Sequence, residues 1–237
     1  MISSIQNHIS FNRIVFVNIM SSDIITLDIE TENTGYDIKE DNKRIISIQL
    51  LGEDNGEIYY DGAKINNLEF ATKELYSMID SKKNFLGFNI KNFDVPIIKK
   101  FLGVDIPESQ VIEISEINVM NDIRRRIGKN KPRLTEICKL VGVNCTHKDI
   151  MDQRAQKFRQ LPEVIQKAKE GAAKWQKERG WSSDFSYNLA LDMICGGMAI
   201  METFDEFVKL NGDKNSFFYQ YAMGDVRTEY ELYLKLK

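Results

Sequence analysis

The stretch that decides the fold is DIITLDIET, residues 23–31. Its β-branched and apolar residues predict a strand, and so apolar a run is typical of a central, buried strand. Because successive side chains of a strand point to opposite faces, Asp28 and Glu30 share one face and Leu27 and Ile29 the other. Two adjacent buried carboxylates repel each other and are costly to desolvate, and a divalent cation removes both costs. Taken alone, however, a pattern as short as Asp-x-Glu fits a solvent-exposed strand end better.

The rest of the chain predicts an α/β fold. Further strands are expected at 44–51, 57–62, 83–89 and 111–115, and helices at 68–80, 92–103, 133–142 and from about Ser216. The segment 147–212 is predicted to be mostly helical, with a loop at 179–188 and a helix break at Gly196 and Gly197. This order of elements favours a mixed sheet flanked by helices.

The composition is that of an ordinary globular protein. The 237 residues are 43% hydrophobic and 28% charged. No apolar run approaches the roughly 18 residues that cross a bilayer, and residues 1–22 lack the features of a signal peptide. Three cysteines without ladder spacing, together with the lack of an export signal, predict reduced thiols and a cytoplasmic location with no membrane partner.

The charge of the chain is distributed unevenly. Between Asn121 and Trp181, 16 lysine and arginine residues stand against 7 aspartate and glutamate residues, whereas the remainder has 16 against 28. A basic segment in an acidic body favours a polyanionic partner, although a solvated helix face explains the charge alone equally well.

Two further acidic stretches lie downstream of the first. In FLGFNIKNFDVPII (85–98), Asn89 follows a predicted strand and Asp94 opens the next helix. In YAMGDVRTEYEL (221–232), Tyr221 and Asp225 lie one turn apart on one helix face, within an apolar stripe where a metal is expected to satisfy the aspartate. Each has an ordinary alternative: a carboxylate that favours the helix dipole, or a surface aspartate beside a packed tyrosine.

Together and in this order, the three stretches resemble the motifs of the DEDD (DnaQ-like) 3′→5′ exonuclease superfamily. The similarity is to its tyrosine branch, and within it to the proofreading exonuclease domain of family-B DNA polymerases. DIET resembles the first motif, GFNIKNFDVPII the second and YAMGDVRTEYEL the third. The resemblance spans residues 23–115 and 216–237.

The resemblance implies an RNase H-like fold, a five-stranded mixed sheet flanked by helices. Residues 1–237 are then one exonuclease domain, with 1–22 as an N-terminal extension. Asp94 and Asp225 are 131 positions apart, more than the resemblance leads us to expect. The segment of about 121–215 is therefore expected to be a basic, mostly helical insertion.

The resemblance also implies two divalent metal ions, Mg²⁺ or Mn²⁺. Asp28, Glu30 and Asp225 would bind the first ion. Asp28 would also reach the second, with Asp94 contributing through water. Independently of any resemblance, phosphodiester hydrolysis places charge on the attacking and leaving oxygens, and two cations roughly 3.5–4 Å apart stabilise both.

The resemblance further implies that Tyr221 orients the attacking water and that Asn89 and Phe93 shape the site around the terminal nucleotide. One alternative stays open in HKDIMD (147–152), where His147 and Asp152 are five apart. The sister branch of the superfamily uses this spacing, with the histidine as general base. The longer match around Tyr221 and Asp225 favours the tyrosine assignment.

The basic insertion is expected to bind nucleic acid. Single-strand binding surfaces interleave cations that follow the phosphates with rings that stack on bases. RRRIGKNKPR (124–133) supplies the cations and Trp181 offers a ring, whereas Trp175 is expected to be a core residue. The residues predicted to contact nucleic acid are Arg124, Arg125, Arg126, Lys129, Lys131, Arg133 and Trp181, besides Asn89 and Phe93.

The function expected from the sequence is a free-standing, metal-dependent 3′→5′ exonuclease that hydrolyses DNA and prefers single strands. Any proofreading role would need a separate replication or repair partner. RNA is an alternative substrate, because nothing in the sequence reports on a 2′-hydroxyl. An alternative from another class is a catalytically silent module that binds nucleic acid.

Overall fold

The computed structural model describes residues 23–32, 44–52, 55–62 and 68–237, so the predicted N-terminal extension lies outside the described residues. Its strands are β1 (Ile24–Thr31), β2 (Ile45–Leu51), β3 (Gly56–Tyr60), β4 (Asn84–Gly87) and β5 (Val111–Glu113). They form a five-stranded mixed sheet in the order β3-β2-β1-β4-β5. β2 pairs antiparallel with both β1 and β3, whereas β4 pairs parallel with both β1 and β5. The predicted fold class is confirmed, and β1 is the central strand.

Helices surround the sheet. In the described part of the chain they are α1 (Leu68–Asp80), α2 (Asp94–Leu102), α3 (Met120–Ile127), α4 (Leu134–Val141), α5 (Thr146–Ala155), α6 (Pro162–Arg179), α7 (Ser183–Lys209) and α8 (Phe217–Leu236). Up to residue 142 the individually predicted strands and helices agree with the observed ones to within two residues. The helix α3 lies in the segment of about 121–215 that is expected to be mostly helical. No helix among the described residues is long and apolar enough to cross a membrane.

Two predictions for the helical segment are wrong. The chain does not break at Gly196 and Gly197, because α7 runs through both. Gly197 is buried where α7 packs on the core that it shares with α6, and such tertiary packing outweighs the low helix propensity of glycine. The loop predicted at 179–188 is also too long. Ser182 caps α7 by accepting a hydrogen bond from the backbone N of Phe185 at 3.4 Å.

The alternation of side chains along β1 separates two layers of the core. Ile25, Leu27 and Ile29 belong to a cluster with residues of α1 and α2, on one face of the sheet. Asp28 and Glu30 therefore point to the other face, which α8 covers. The strand that decides the fold thus places both of its carboxylates under α8.

The turn after β4 brings the start of α2 to β1. A Cβ atom on Gly87 would lie 2.8 Å from Cβ of Ile90 and 3.1 Å from the carbonyl oxygen of Leu27, so only glycine fits at this point. Two residues later the chain adopts the left-handed conformation at Asn89, with φ of 66°. This tight reversal places Asp94, the first residue of α2, beside the central strand.

Candidate active site

Three carboxylates converge where α8 crosses β1. Asp28, Glu30 and Asp225 each offer an oxygen, and these oxygens all lie within 4.8 Å of one another. Glu30 and Asp225 are buried, with 7% and 3% of their surfaces exposed. Residues from opposite ends of the described chain thus form one compact acidic cluster.

Asp94 lies beside this cluster. Its Oδ1 accepts a hydrogen bond from the backbone N of Ile29 at 3.1 Å, and the side chain is buried. Ile29 lies between Asp28 and Glu30 in β1, so the bond holds the fourth carboxylate against the same stretch of strand. Asp94 is not one of the three residues whose oxygens are mutually close.

The buried carboxylates disfavour one another's charge. Burial, reinforced by the negative charge of Asp225, raises the pKa of Asp28 to about 7. Burial also raises the pKa of Glu30 well above its ordinary value, and Asp28 and Asp225 add to the shift. The pKa of Asp94 is raised well above its ordinary value by burial and by the charge of Asp28. Oxygen ligands this close and this short of positive charge suit hard divalent cations.

Two neighbouring residues hold Asp225: His147, which the sequence offered as a general base in the alternative assignment, and Lys148, which sequence reasoning missed. The Nε2 atom of His147 donates to Oδ1 of Asp225 at 2.7 Å, and Nζ of Lys148 contacts the same oxygen at 2.6 Å. Burial alone would raise the pKa of Asp225, but the charge of Lys148 and these hydrogen bonds hold it below its ordinary value. Protein groups therefore contact this aspartate, for which the sequence predicted a metal.

The position of His147 depends on a glycine in α8. A Cβ atom on Gly224 would lie 2.9 Å from Cγ of His147, so the missing side chain gives the imidazole its place. His147 is the second residue of α5, and Lys148 is the third. No sequence signal marked Lys148, because it is one of 16 lysine and arginine residues in the basic segment 121–181.

Tyr221 lies next to these groups. Its ring meets that of His147 edge-on, with the centroids 5.9 Å apart, and Nζ of Lys148 lies 5.4 Å from its centroid. Tyr221 and Lys148 line a cleft of about 200 Å³ together with Arg133 and Asp152. Asp225 thus joins the carboxylate cluster, whereas Asp152 lies in the wall of the cleft.

The structure gives Asn89 and Phe93 clear local roles. The backbone N of Asn89 donates to Oε1 of Glu113 at 2.8 Å, and its carbonyl accepts from the backbone N of Phe93 at 3.0 Å. Phe93 packs on the core cluster of α1 and α2. Glu113, which sequence reasoning missed, also accepts from the backbone N of Ser115 at 3.0 Å. It ties β5 to the turn that delivers Asp94.

Four of the predicted basic residues line two different cavities. Arg133 lines the cleft beside Tyr221, but Arg124, Arg125 and Lys129 line a separate depression of about 460 Å³. Arg126 and Lys131 are exposed.

The basic residues of that depression have protein partners. Arg124 donates to the carbonyl of Ser115 at 2.6 Å. Arg125 pairs with Asp122, and Lys129 pairs with Glu136. The charges of Arg125 and Lys129 are thus partly neutralised within the fold.

Trp181 belongs to an aromatic cluster at the junction of α6 and α7. Its ring lies edge-on to Trp175, which is buried as predicted, at 5.8 Å between centroids, and to Phe185 at 5.3 Å. The guanidinium of Arg179 lies 4.8 Å from the Trp181 centroid. Of the three rings, that of Phe185 is the most exposed, at 54%.

Comparison with known proteins places this fold in a family. The profile of the RNase H superfamily matches residues 25–161, which is more than half of the chain. The chain belongs to the RNase H superfamily. The matched region of this RNase H superfamily member contains Asp28, Glu30 and Asp94, and it ends before α8. Membership suggests nuclease activity and hence a nucleic acid substrate.

One similar solved structure is that of the family B DNA polymerase from the hyperthermophilic archaeon Pyrobaculum calidifontis. The two chains are 15% identical, with a TM-score of 0.34. The alignment covers 90% of this chain and 28% of the polymerase chain. No curated protein matches the sequence.

Proposed function

We propose that this RNase H superfamily protein is a metal-dependent 3′→5′ exonuclease of the DEDD superfamily, tyrosine branch, that hydrolyses DNA and prefers single strands. The observation that carries the proposal is the convergence of Asp28, Glu30 and Asp225 within 4.8 Å, with Asp94 held beside them. The three motif resemblances support the direction of hydrolysis and the choice of DNA.

The residues present fit divalent cations. A strand, a helix start and a second helix bring together the partly buried Asp28 and three buried carboxylates. The raised pKa values of Asp28, Glu30 and Asp94 show how poorly their charges are compensated. Asp28, Glu30 and Asp225 would hold one Mg²⁺ or Mn²⁺, and Asp28 with Asp94 a second. When bound, such a pair of cations stabilises the charge that develops on the attacking and leaving oxygens.

Tyr221 acts as a positioning group. Burial, followed by the negative charge of Glu30, raises the pKa of Tyr221 well above its ordinary value, so its hydroxyl stays protonated at neutral pH. A protonated phenol orients a water through a hydrogen bond and does not remove its proton. His147 and Lys148 hold the Asp225 carboxylate in place, one turn along α8 from the tyrosine.

The cleft wall suits the substrate. Arg133 and Lys148 place two cationic side chains beside Tyr221, next to the acidic cluster. Cationic side chains bind the phosphates of a nucleic acid strand, whatever its sequence. The wall thus draws the polyanion toward a cluster that would otherwise repel it.

The test uses a 5′-labelled linear single-stranded DNA, a circular single strand and a linear RNA of matched sequence, each with Mn²⁺. We expect the linear DNA to shorten stepwise from its 3′ end and the circle to stay intact. Asp28→Asn and Asp225→Asn should abolish the product. Asp205→Asn, an exposed aspartate of α7, should not. Cleavage of the circle would overturn the exonuclease assignment, and shortening of the RNA alone would overturn the choice of DNA.

A second candidate is a catalytically silent module that binds nucleic acid. The ion pair of Lys148 with Asp225 favours it, because an internal ammonium already compensates one carboxylate of the cluster. The same assay separates the two candidates. The silent module predicts that both DNA and RNA survive with Mn²⁺, although a gel-shift assay still detects bound oligomer.

A further inference from the structure

A fifth carboxylate faces the candidate site, and the roles assigned to the residues of the third motif do not include it. Glu229 lies in α8 one turn beyond Asp225, and 4% of its surface is exposed. Residues four apart share one face of a helix, so Glu229 lies on the side of α8 that carries Asp225. Its Oε2 atom is buried and has no hydrogen-bond partner.

One oxygen of this buried carboxyl group thus lacks a hydrogen-bond partner. A buried polar atom without a partner is rare in a folded protein and calls for an explanation. The protein groups around Glu229 therefore do not complete its environment.

Glu229 is not one of the three residues whose oxygens lie within 4.8 Å of one another, so it lies outside the group assigned to the first cation. Burial raises its pKa well above the ordinary value, and the charges of Asp28, Asp94 and Asp225 add to this in that order of strength. Asp28 and Asp94 are the two carboxylates that the proposed function leaves with the second cation. That cation otherwise has fewer protein ligands than the first.

We propose that Glu229 is a further protein ligand of the second divalent cation, which it shares with Asp28 and Asp94 directly or through water. The inference rests on the proposed metal-dependent function. Carboxylate oxygens and retained water are the ligands that Mg²⁺ and Mn²⁺ take in proteins.

The experiment measures Mn²⁺ binding to the whole chain at pH 8 by isothermal titration calorimetry, with equilibrium dialysis for stoichiometry. We expect two ions per wild-type chain. Glu229→Gln should bind one ion as the wild type does. Its affinity for the other ion should be lower by about tenfold or more, a loss of about 1.4 kcal/mol in binding free energy. Glu231→Gln makes the same change at an exposed position of α8 and should bind as wild type does. Circular dichroism checks that each variant is folded.

A second variant tests the same cation site without changing Glu229. Asp94→Asn should weaken the same ion, and the double variant should lose less than the sum of the two single losses, because both side chains serve one site. Two ions bound to Glu229→Gln with wild-type affinities would overturn the inference and leave the proposed function intact. A wild-type chain that binds no Mn²⁺ would overturn both. Wild-type binding of two ions, one dependent on Glu229, without any nuclease product would support the inference and overturn the activity.

Discussion

In the absence of divalent cations, the stability of this protein should fall as the pH rises from 5 to 8. The reason is Asp28, whose pKa of about 7 in the folded chain compares with an ordinary value of 3.8. Between these two values the folded chain binds a proton that the unfolded chain has released. The stability that this extra proton contributes is therefore fully present below the ordinary pKa of 3.8. It is lost progressively as the pH rises from there through the folded-state pKa of about 7.

The size of the effect follows from the shift. One pKa unit corresponds to about 1.4 kcal/mol, so two units between pH 5 and 7 remove about 3 kcal/mol of unfolding free energy. For a chain of this size that lowers Tm by roughly 5–11 °C. Glu30, Asp94 and Glu229 have raised pKa values and act in the same direction. Asp225 has a lowered pKa and acts below about pH 4, outside this window.

The assay is thermal unfolding followed by circular dichroism at pH 5, 6, 7 and 8, in EDTA and in excess Mg²⁺. In EDTA the wild-type Tm should fall across the series. Asp28→Asn, which cannot ionise, should flatten the part of the slope that Asp28 supplies. Because a bound cation favours the ionised carboxylates, the Tm gain from Mg²⁺ should be larger at pH 8 than at pH 5.

A metal-free Tm that is constant or rises between pH 5 and 8 would refute this reasoning. So would an Asp28→Asn variant whose Tm falls as steeply as that of the wild type. In either case the carboxylates would be better solvated than the structure indicates, and the cluster would need no cation to relieve it.

Two further predictions concern groups that contact Asp225. Lys148→Gln should bind Mn²⁺ at pH 8 on the order of tenfold more tightly, because it removes a competing cation from the cluster. Lys139→Gln, at an exposed position of α4, serves as its control, and weaker Mn²⁺ binding by Lys148→Gln in calorimetry would contradict the prediction. Gly224→Ala should destabilise the fold in urea denaturation by about 1–2 kcal/mol, since crowding of His147 outweighs the gain in helix propensity. Gly196→Ala has no atom within 4 Å of its new Cβ and should stabilise by about 0.5–1 kcal/mol, so equal stabilities of the two variants would count against the crowding.

The sheet could be predicted because its signals are local. The period-2 pattern of 23–31 defines a strand with both carboxylates on one face, and the structure has Asp28 and Glu30 on the face toward α8. Gly87 and the residues after it describe a turn whose geometry allows no other residue at that position. In both cases the residue type and the backbone conformation require each other within a few positions.

The groups around Asp225 could not be predicted, because tertiary packing places them. Nothing near Lys148 in the sequence separates it from the other basic residues of 121–181, and only the docking of α5 on α8 brings it to an aspartate. Glu229 is one of several acidic residues in α8, and its burial becomes evident only once the sheet covers that face. The break predicted at Gly196 and Gly197 fails for a similar reason, since the packing of α7 compensates for two poor helix formers.

The acidic cluster can form only after distant parts of the chain have come together. Asp28 and Asp225 are 197 positions apart, and they meet only when α8 docks on the central strand. Contacts of such long range form late in folding, after local helices and turns. In a stopped-flow refolding experiment, Mn²⁺ uptake should therefore lag behind the far-ultraviolet signal of the helices. The binding of Mn²⁺ by the acidic cluster would then report the time at which α8 docks on the central strand.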